Sequence, residues 1–557
     1  MSTYTPAATR KPSRIRFDFW HVITLLGLAV LIIFLVYPLF NVLIASFFKD
    51  GHFSLGAYKD FFTLKYYYGA LFNSLFVCIS ATVVACCLGI PMAYIMTRFE
   101  MPFKNVIHII IILTLLSPPF IGAYSWILML GNNGVITRFL AHIGIHIPSI
   151  YGLHGMIWVF AIQFYPHIYL YVSGALKTVD RSLEEAAESM GNHGWKRIRT
   201  ITLPLIFPTL STGALMVFMA SFADFGTPML LGQGIKLLPV LAYEQFINEM
   251  GSDPAMASTL SIILLAISTL LLYFQRYLVS RKSYTMSSLR PPKPVKLKPM
   301  QKVFAYIFVG MVLIVSIIPQ ATVIITSFLK TNGPVFTNHF SLDSYRQVLY
   351  RVPQAIFNTF SFSVIAIIIM LVAGLLMSYV VVRRKSKLTA ILDSLIMIPY
   401  VVPGTVLGIS LILAFNKPPV LLTGTWIILV ISYSIRKLPY TMRSSTAILY
   451  QLDKSVEEAS ISLGVPPIRT FFKTTAILML PGVLSGAVLS WITTINELSS
   501  SIVLYSGSTA TITVTIYSEV FTANFGTAAA LASILSLCTI ISLIIVSKIS
   551  GKKGIPV

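Results

Sequence analysis

The chain has 557 residues, of which 56% are hydrophobic and only 11% are charged. Soluble domains carry about 25% charged residues, so a water-soluble fold of this composition would lack the polar surface that solvation requires. The net charge of +22 would suggest a nucleic-acid partner for a soluble protein, but Lys and Arg here lie in short segments between apolar runs, where they report membrane topology. We therefore expect membrane lipid, and no nucleic acid, around this chain.

Apolar runs of ~20 residues recur along the chain and are long enough to cross the hydrocarbon core as helices. They predict an all-α membrane protein with about twelve transmembrane helices, six in each half. In the first half the predicted spans are 20–47, 70–97, 106–130, 153–173, 205–232 and 257–280. In the second half they are 302–329, 355–382, 389–415, 420–435, 478–504 and 527–548.

A Pro- and Lys-rich segment, residues 281–302, separates the two sets of spans and favours an extended, solvated linker. The predicted transmembrane domains are therefore residues 1–280 and 303–557. If the N-terminus is cytoplasmic, 32 of the 41 Lys and Arg residues fall in cytoplasmic segments and nine fall outside. This bias predicts that both termini and the linker lie in the cytoplasm.

The two halves repeat each other in sequence. Phe53-Ser-Leu-Gly-Ala-Tyr58 is echoed by Phe340-Ser-Leu-Asp-Ser-Tyr345, and Asn73-Ser74 is echoed by Asn358-Thr359. Residues 180–224 and 453–497 align without a gap at 12 identities in 45 positions. With an even number of spans in each half, the repeats have the same orientation, and their pseudo-two-fold axis is expected along the membrane normal.

A charged motif opens each of these aligned segments on the predicted cytoplasmic side. It reads Asp180-Arg-Ser-Leu-Glu-Glu-Ala-Ala-Glu-Ser-Met-Gly191 in the first half and Asp453-Lys-Ser-Val-Glu-Glu-Ala-Ser-Ile-Ser-Leu-Gly464 in the second. Both copies fit the Ser-x-x-Glu capping box, which predicts Ser182 and Ser455 as helix caps. The glycines then predict a turn. The pattern indicates a short helix, a turn, a second short helix and re-entry into the membrane.

The first copy resembles the EAA loop of binding-protein-dependent ABC importer permeases. Glu185-Ala186-Ala187, Gly191 after three residues and Ile201-Thr-Leu-Pro204 after nine more occupy every signature position of that loop. The second copy keeps Glu458-Ala459-Ser460 and Gly464 but departs from the pattern at Thr474, Ala476 and Ile477. The resemblance implies two tandem six-helix type I importer (MetI-like) permease domains covering essentially the whole chain.

In that family the loop is a coupling helix that sits in a groove of a cytoplasmic ATPase. The resemblance therefore implies two ATPase copies, an extracytoplasmic substrate-binding protein and a place in the bacterial cytoplasmic membrane. It assigns Glu185 and Glu458 to electrostatic contacts with the ATPase. The implied coupling residues are Glu184, Glu185, Ala186, Ala187, Gly191, Glu457, Glu458, Ala459, Ser460 and Gly464.

No Gly-x-x-x-x-Gly-Lys-Ser/Thr loop occurs in the chain, so ATP and Mg²⁺ are expected on a separate ATPase subunit. We expect no cofactor on this chain and no enzyme activity of its own. No metal site is expected either. His142 and His146 have helical ligand spacing but lie in a predicted outer loop, and the four cysteines lie inside apolar segments as packed side chains.

After each loop comes a predicted span that ends in a polar stretch, with Asp224 and Glu497 at equivalent positions of the ungapped alignment. An ionised carboxylate inside a span costs several kcal/mol unless it faces water or a partner. Two interpretations stay open: the stretches line a shared translocation cavity, or the carboxylates lie near the outer ends of their spans and are solvated or cap neighbouring helices. The pathway candidates are Ser221, Asp224, Thr227, Thr493, Thr494, Asn496 and Glu497.

The segment Ala223-Asp-Phe-Gly-Thr-Pro228 resembles the first half of ferric-iron permeases and of related 2-aminoethylphosphonate permeases. This resemblance favours iron(III) as the substrate. The same machinery serving 2-aminoethylphosphonate, a sugar phosphate, thiamine or a polyamine remains an alternative. A secondary transporter driven by an ion gradient is a further alternative, although it would not need two capped cytoplasmic loops at matched positions.

Overall fold

The computed structural model of the chain describes residues 18–49, 51–247, 253–281, 294–332 and 335–549. The helices of the first half are α1 Phe19–Leu31, α2 Tyr37–Ala45, α3 Gly56–Thr63, α4 Lys65–Arg98, α5 Lys104–Leu116, α6 Pro119–Leu130, α7 Val135–His142, α8 Leu153–Thr178, α9 Arg181–Ser189, α10 Gly194–Arg197, α11 Leu203–Phe222, α12 Gly226–Leu231, α13 Leu238–Ile247 and α14 Pro254–Arg281.

The second half follows the same order. Its helices are α15 Pro299–Ser327, α16 Asp343–Arg351, α17 Pro353–Arg383, α18 Lys387–Val401, α19 Gly404–Phe415, α20 Trp426–Gln451, α21 Ser455–Ser462, α22 Pro467–Thr470, α23 Ala476–Ile495, α24 Ser501–Leu504, α25 Ile512–Phe521 and α26 Phe525–Ile549. The short strands in the described ranges are β1 Phe48–Lys49, β2 His52–Phe53, β3 Leu329–Asn332 and β4 Val335–Phe340. π-Helical turns cover Ile32–Val36, Ile198–Thr202 and Phe471–Thr475.

The first repeated segment, residues 53–58 in one half and 340–345 in the other, begins at the last residue of a hairpin that joins the first helix of each half to a short helix. β1 pairs antiparallel with β2, and β3 pairs antiparallel with β4. The hydroxyl pairs Ser46–Tyr58 and Ser327–Tyr345 then each tie the end of the first helix to the short helix, at 2.9 Å in both halves. The repeated tyrosine therefore has the same structural role in both halves.

The second echo lies on the long helices α4 and α17. The hydroxyl of Ser74 accepts a hydrogen bond from the backbone N–H of Leu238 at 2.9 Å, and that of Thr359 accepts one from Ile512 at 2.7 Å. Leu238 and Ile512 begin α13 and α25. Each long helix thus caps the start of a helix that is distant in the sequence, in the same way in both halves.

The count of straight spans is smaller than the sequence predicts. In the described part of the chain, eight helices are long and apolar enough to cross a membrane, or up to ten if each of two bent pairs counts as one span. The predicted spans 106–130 and 389–415 each correspond to two helices that meet at a bend, of 98° and 112°. Pro118, Pro119 and Pro403 lie at the bends and cannot donate the backbone hydrogen bonds that would continue a helix.

The fourth predicted span of each half corresponds to a 26-residue helix, α8 or α20, that is not among those eight long apolar helices. α20 continues well past the predicted end at residue 435. Arg436 and Lys437, which the charge count placed in a segment after the predicted span, lie inside this helix. Lys437 is only 8% exposed, because its ammonium group pairs with Glu497.

The first helix of each half packs against the other half in addition to its own, where α2 contacts α14 and α15 contacts α26. α1 packs on α17 and α18, and α2 packs on α19. Trp20, only 2% exposed, places its ring 4.3 Å from that of Tyr379 and 4.9 Å from that of Phe471. In return α15 packs on α5 and α6, where the hydroxyl of Ser125 donates to the carbonyl of Pro319 at 2.8 Å. Each half is thus completed by a helix of the other.

Candidate functional site

The charged motif forms the predicted helix, turn and second helix in both halves, as α9 and α10 and as α21 and α22. The caps differ from the prediction, because Asp180 and Asp453 accept hydrogen bonds from the backbone N–H groups of Ser182 and Ser455, at 2.9 and 3.0 Å. An Asp side chain readily reaches the N–H two residues further on. This hydrogen bond lowers the pKa of the Asp453 carboxyl. The capping side chains are therefore those of Asp180 and Asp453, and the serines contribute only their backbone N–H groups.

The turns after α9 and α21 have the same geometry. Gly191 and Gly464 both have φ of +83°, and their N–H groups donate to the carbonyls of Glu188 and Ile461 at 2.9 Å. This left-handed conformation favours glycine. Of the small residues, Ala187 is buried, Ala186 and Ala459 are exposed, and the Ser460 hydroxyl lies 3.1 Å from that of Thr470.

The two adjacent glutamates of each motif lie in different environments. Glu184 is buried, and its carboxylate pairs with Arg98 at 2.6 Å. Glu457 is half-buried and pairs with Arg383 at 3.1 Å. Glu185 and Glu458 are exposed. The first glutamate of each pair is therefore held by its own half, and the second faces outward.

Each loop also exposes apolar side chains at three repeated positions, which we call the coupling surface. They are Leu183, Met190 and Trp195 in the first half and Val456, Leu463 and Ile468 in the second. Met190, Trp195 and Leu463 are 73%, 74% and 85% exposed. Exposed apolar groups at matched positions of two otherwise polar loops are typical of a contact surface. These side chains are not among the coupling residues predicted from the sequence, although the ungapped repeat has apolar residues at all three positions in both copies.

A π-helical turn follows each loop at the same register, at Ile198–Thr202 and Phe471–Thr475. Such turns are rare and occur often at functional sites. The departure of the second copy from the Ile-x-Leu-Pro ending therefore leaves the backbone of the two loops alike.

The polar stretches break the helices that follow the loops. α11 ends at Phe222 before α12, and α23 ends at Ile495 before α24. The Asp224 carboxylate accepts the backbone N–H of Thr227 at 2.8 Å, and the Glu497 carboxylate accepts that of Ser500 at 3.1 Å. Each carboxylate caps the short helix after its break.

The two breaks differ in charge. Glu497, 5% exposed, pairs with Arg436 and with Lys437, the latter at 2.7 Å. At the equivalent positions of the first half, α8 carries Gln163 and Phe164. Gln163 donates to the carbonyls at the end of α5 instead. No Lys or Arg pairs with Asp224 among the described residues.

The remaining pathway candidates mostly bond to their own helices. The hydroxyls of Ser221, Thr493 and Thr494 donate to carbonyls three or four residues earlier. The Thr227 hydroxyl is buried beside the Asp224 carboxylate, which also accepts the Thr227 backbone N–H. Asn496 crosses between the halves, since its amide donates to the carbonyl of Leu116 at 3.3 Å.

The two breaks meet at the interface between the halves. A Cβ placed on Gly226 would lie 3.0 Å from Cδ2 of Leu498, which follows Glu497. Within the described ranges, no group of three His, Cys, Asp or Glu side chains could hold a metal ion. The arrangement is a capped, charge-balanced junction and contains no dedicated cation cage in those ranges.

Duplicated charged loops, first helices that pack across the halves and paired polar breaks define a two-domain membrane permease. The chain belongs to the family described as the binding-protein-dependent transport system inner membrane component, which matches residues 85–284 and 370–552. One match falls in each half, so the permease domain is present twice. The protein is therefore an ABC importer permease and a multi-pass inner membrane protein, in a class whose members are not themselves enzymes.

Relatives span almost the whole chain. The ferric transport system permease protein FbpB of Actinobacillus pleuropneumoniae is 30% identical over 542 residues, which cover 96% of this chain and 78% of the relative. A putative ferric transport system permease protein FbpB 1 of Haemophilus influenzae is 30% identical over 520 residues, covering 91% and 82%. The molybdenum transport system permease protein ModB of Mycobacterium tuberculosis is 27% identical over 205 residues, covering 36% and 75%.

Proposed function

We propose that this permease translocates iron(III) that a separate extracytoplasmic binding protein delivers, and that two copies of a separate ATPase drive it. The observation that carries the ATPase part is the coupling surface, which appears twice with the same three apolar positions and an exposed glutamate beside each set. A two-fold surface suits two copies of one partner. The expected orientation places both loops and both termini in the cytoplasm.

The proposed mechanism is alternating access. Closure of the two ATPases draws α9 and α21 together, the halves rotate about their shared axis, and the junction between the breaks opens to the docked binding protein. Hydrolysis of ATP, with its Mg²⁺ on the ATPase, then returns the junction to its inward-facing state. In this scheme the chain itself holds no cofactor.

The charges at the junction bear on how substrate would pass. Asp224 and Glu497 carry two negative charges, and Arg436 and Lys437 carry two positive charges, so the cluster is formally neutral. A neutral cluster would bind a trivalent cation weakly and release it readily. Iron(III) specificity is then set by the binding protein, and the two ferric relatives that span the chain support this substrate over the other candidates.

The test is purification of the tagged chain from its native membrane. We expect an ATPase at two copies per chain, and uptake of radioactive iron into proteoliposomes only with ATP and the iron-loaded binding protein. If 2-aminoethylphosphonate, thiamine, spermidine or a sugar phosphate is taken up and iron is not, that compound is the substrate and iron(III) is not. Uptake driven by an ion gradient without any bound ATPase would overturn the ATPase-driven mechanism.

A second prediction concerns the turn of the coupling loop. Gly191→Asp places a side chain at φ of +83°, which costs about 1 kcal/mol, and adds a charge beside the coupling surface. We expect transport to fall at least ~10-fold, a loss of about 1.4 kcal/mol in coupling, while the protein still inserts. Glu185→Lys should act in the same direction. Transport and ATP hydrolysis in proteoliposomes are the measurements.

The matched control is Gly51→Asp. Gly51 has nearly the same conformation, with φ of +81° and open space around it, but lies in the β1–β2 turn at the other end of the protein. It should insert and transport like the unmodified chain. Equal transport by both Asp variants would show that the loop turn has no coupling role.

A further inference from the structure

The long helices α4 and α17 end at a buried charge contact with the coupling loops. Arg98 is the last residue of α4 and Arg383 the last residue of α17, and their side chains are 8% and 9% exposed. Their partners Glu184 and Glu457 lie in the first turns of α9 and α21. The same contact therefore joins the same two elements in each half, although the two arginines lie outside the ungapped repeat.

Each carboxylate is also held by a second donor. The hydroxyl of Thr202, in the π-helical turn, donates to Glu184 at 3.3 Å, and the hydroxyl of Tyr379 donates to Glu457 at 3.1 Å. Arg383 additionally donates to the carbonyl of Leu452 at 2.8 Å, at the end of α20. Hydrogen bonds to an ionised carboxylate are stronger than neutral ones, and several from different elements to one carboxylate resist sliding of those elements past each other.

The other end of each long helix holds the region beyond the polar break. Ser74 on α4 and Thr359 on α17 cap α13 and α25, as described above. In both halves the distance along the helix from the capping residue to the terminal arginine is ~36 Å, at about 1.5 Å per residue. α17 has no proline inside that stretch, whereas α4 carries Pro91. Each long helix thus connects the coupling loop to the far side of the junction.

We propose that Arg98 and Arg383 are positioning residues that make α4 and α17 move as one body with the coupling helices, so that displacement of a loop reaches the caps of α13 and α25. This inference rests on the proposed coupling of the loops to an ATPase. The buried pairs are not themselves ATPase contacts. They transmit motion within the permease.

The chain supplies a matched pair of variants at adjacent positions. Arg383 is buried against Glu457, whereas Arg384 is 47% exposed and pairs with Asp18 at 3.4 Å on the surface. Arg383→Gln and Arg384→Gln therefore make the same chemical change at neighbouring residues. Arg98→Gln tests the first half. Each full complex with its ATPase is reconstituted in proteoliposomes, and substrate transported per ATP hydrolysed is measured per assembled complex.

We expect Arg383→Gln and Arg98→Gln to retain bound ATPase and basal ATP hydrolysis, to lose most stimulation by the loaded binding protein, and to transport at least ~10-fold less substrate per ATP. Arg384→Gln should stay within about two-fold of the unmodified complex. The double variant Arg383→Glu with Glu457→Arg exchanges the two charges and should recover part of the substrate transported per ATP hydrolysed. If Arg383→Gln does not assemble, Arg383→Lys keeps the charge, loses the second hydrogen bond and should give an intermediate ratio.

Failure of the positioning role and failure of the proposed function give different results. If the unmodified complex transports and both buried variants keep its transport per ATP, the positioning role is wrong and the proposed function stands. If the unmodified chain binds no ATPase, the proposed function itself fails. A charge exchange that recovers assembly but none of the transport ratio would reduce the buried pairs to a structural role.

Discussion

Glu497→Gln is expected to destabilise the protein by about 3–5 kcal/mol, because it leaves two cationic side chains buried without their counter-charge. Glu497 is 5% exposed and pairs with both Arg436 and Lys437. A change of this size is a large share of the roughly 5–15 kcal/mol that typically separates folded from unfolded protein. We expect most of the variant to be lost from the monodisperse fraction on size exclusion in detergent, and the remainder to unfold at a lower temperature.

The control is Asp224→Asn at the equivalent position. Its amide oxygen can still accept the N–H of Thr227, and no described Lys or Arg forms an ion pair with Asp224, so we expect a smaller loss of about 1 kcal/mol. Adding Lys437→Met to Glu497→Gln should restore part of the stability, since it removes one of the two orphaned charges. A Glu497→Gln protein as stable as Asp224→Asn would show that the charge cluster does not hold the second break.

The different environments of Asp224 and Glu497 illustrate what the sequence could predict. Their equivalence was visible from the ungapped repeat, and capping was one of the two open interpretations. The difference between them was not visible, because the cations that neutralise Glu497 lie much earlier in the chain, on a helix that hydropathy ended at residue 435. In a sequence, a buried lysine cannot be distinguished from a lysine in a loop unless its ion-pair partner is known.

The same limit applies to the coupling loops. The polar motif stood out against apolar spans, so helix, turn and second helix were predictable. Which of two adjacent glutamates faces inward was not predictable, because that depends on the positions of Arg98 and Arg383, which lie on other helices. Both arginines were counted only as topology signals. The coupling surface, by contrast, could have been found by comparing the apolar positions of the two copies.

The packing of the first helices across the two halves was not predictable for a different physical reason. In lipid, an apolar helix face carries little information about its partner, because lipid tails and a neighbouring helix are similarly apolar. What distinguishes a helix–helix contact is small residues that let backbones approach. The sequence contains such a signal only for contacts within each half, in Gly89 and Gly374 at matching positions of α4 and α17, which face α8 and α20.

Gly89→Val is accordingly expected to disrupt the packing of α4 on α8. A Cβ at Gly89 would lie 2.6 Å from the Cβ of Ile168 and 2.9 Å from the carbonyl oxygen of Tyr165, so the helices themselves must separate. Forcing extra atoms into a packed contact costs about 1–3 kcal/mol and more when backbone must shift. We expect reduced folded yield and a lowered unfolding temperature. Gly374→Val should behave alike, because its Cβ would lie 2.7 Å from Cγ2 of Thr441.

Gly69→Val is the control on the same helix. Nothing lies within 4 Å of a Cβ at Gly69, so the substitution adds a β-branched residue to α4 without a clash and should be close to neutral. Gly310→Val gives the same comparison on α15, where the space is also open. Because α4 and α17 are the helices that join the coupling loops to the caps beyond the breaks, any folded Gly89→Val protein should also transport less substrate per ATP. Equal stability of the Gly89 and Gly69 variants would mean that the close approach of α4 and α8 is not a feature of the folded protein.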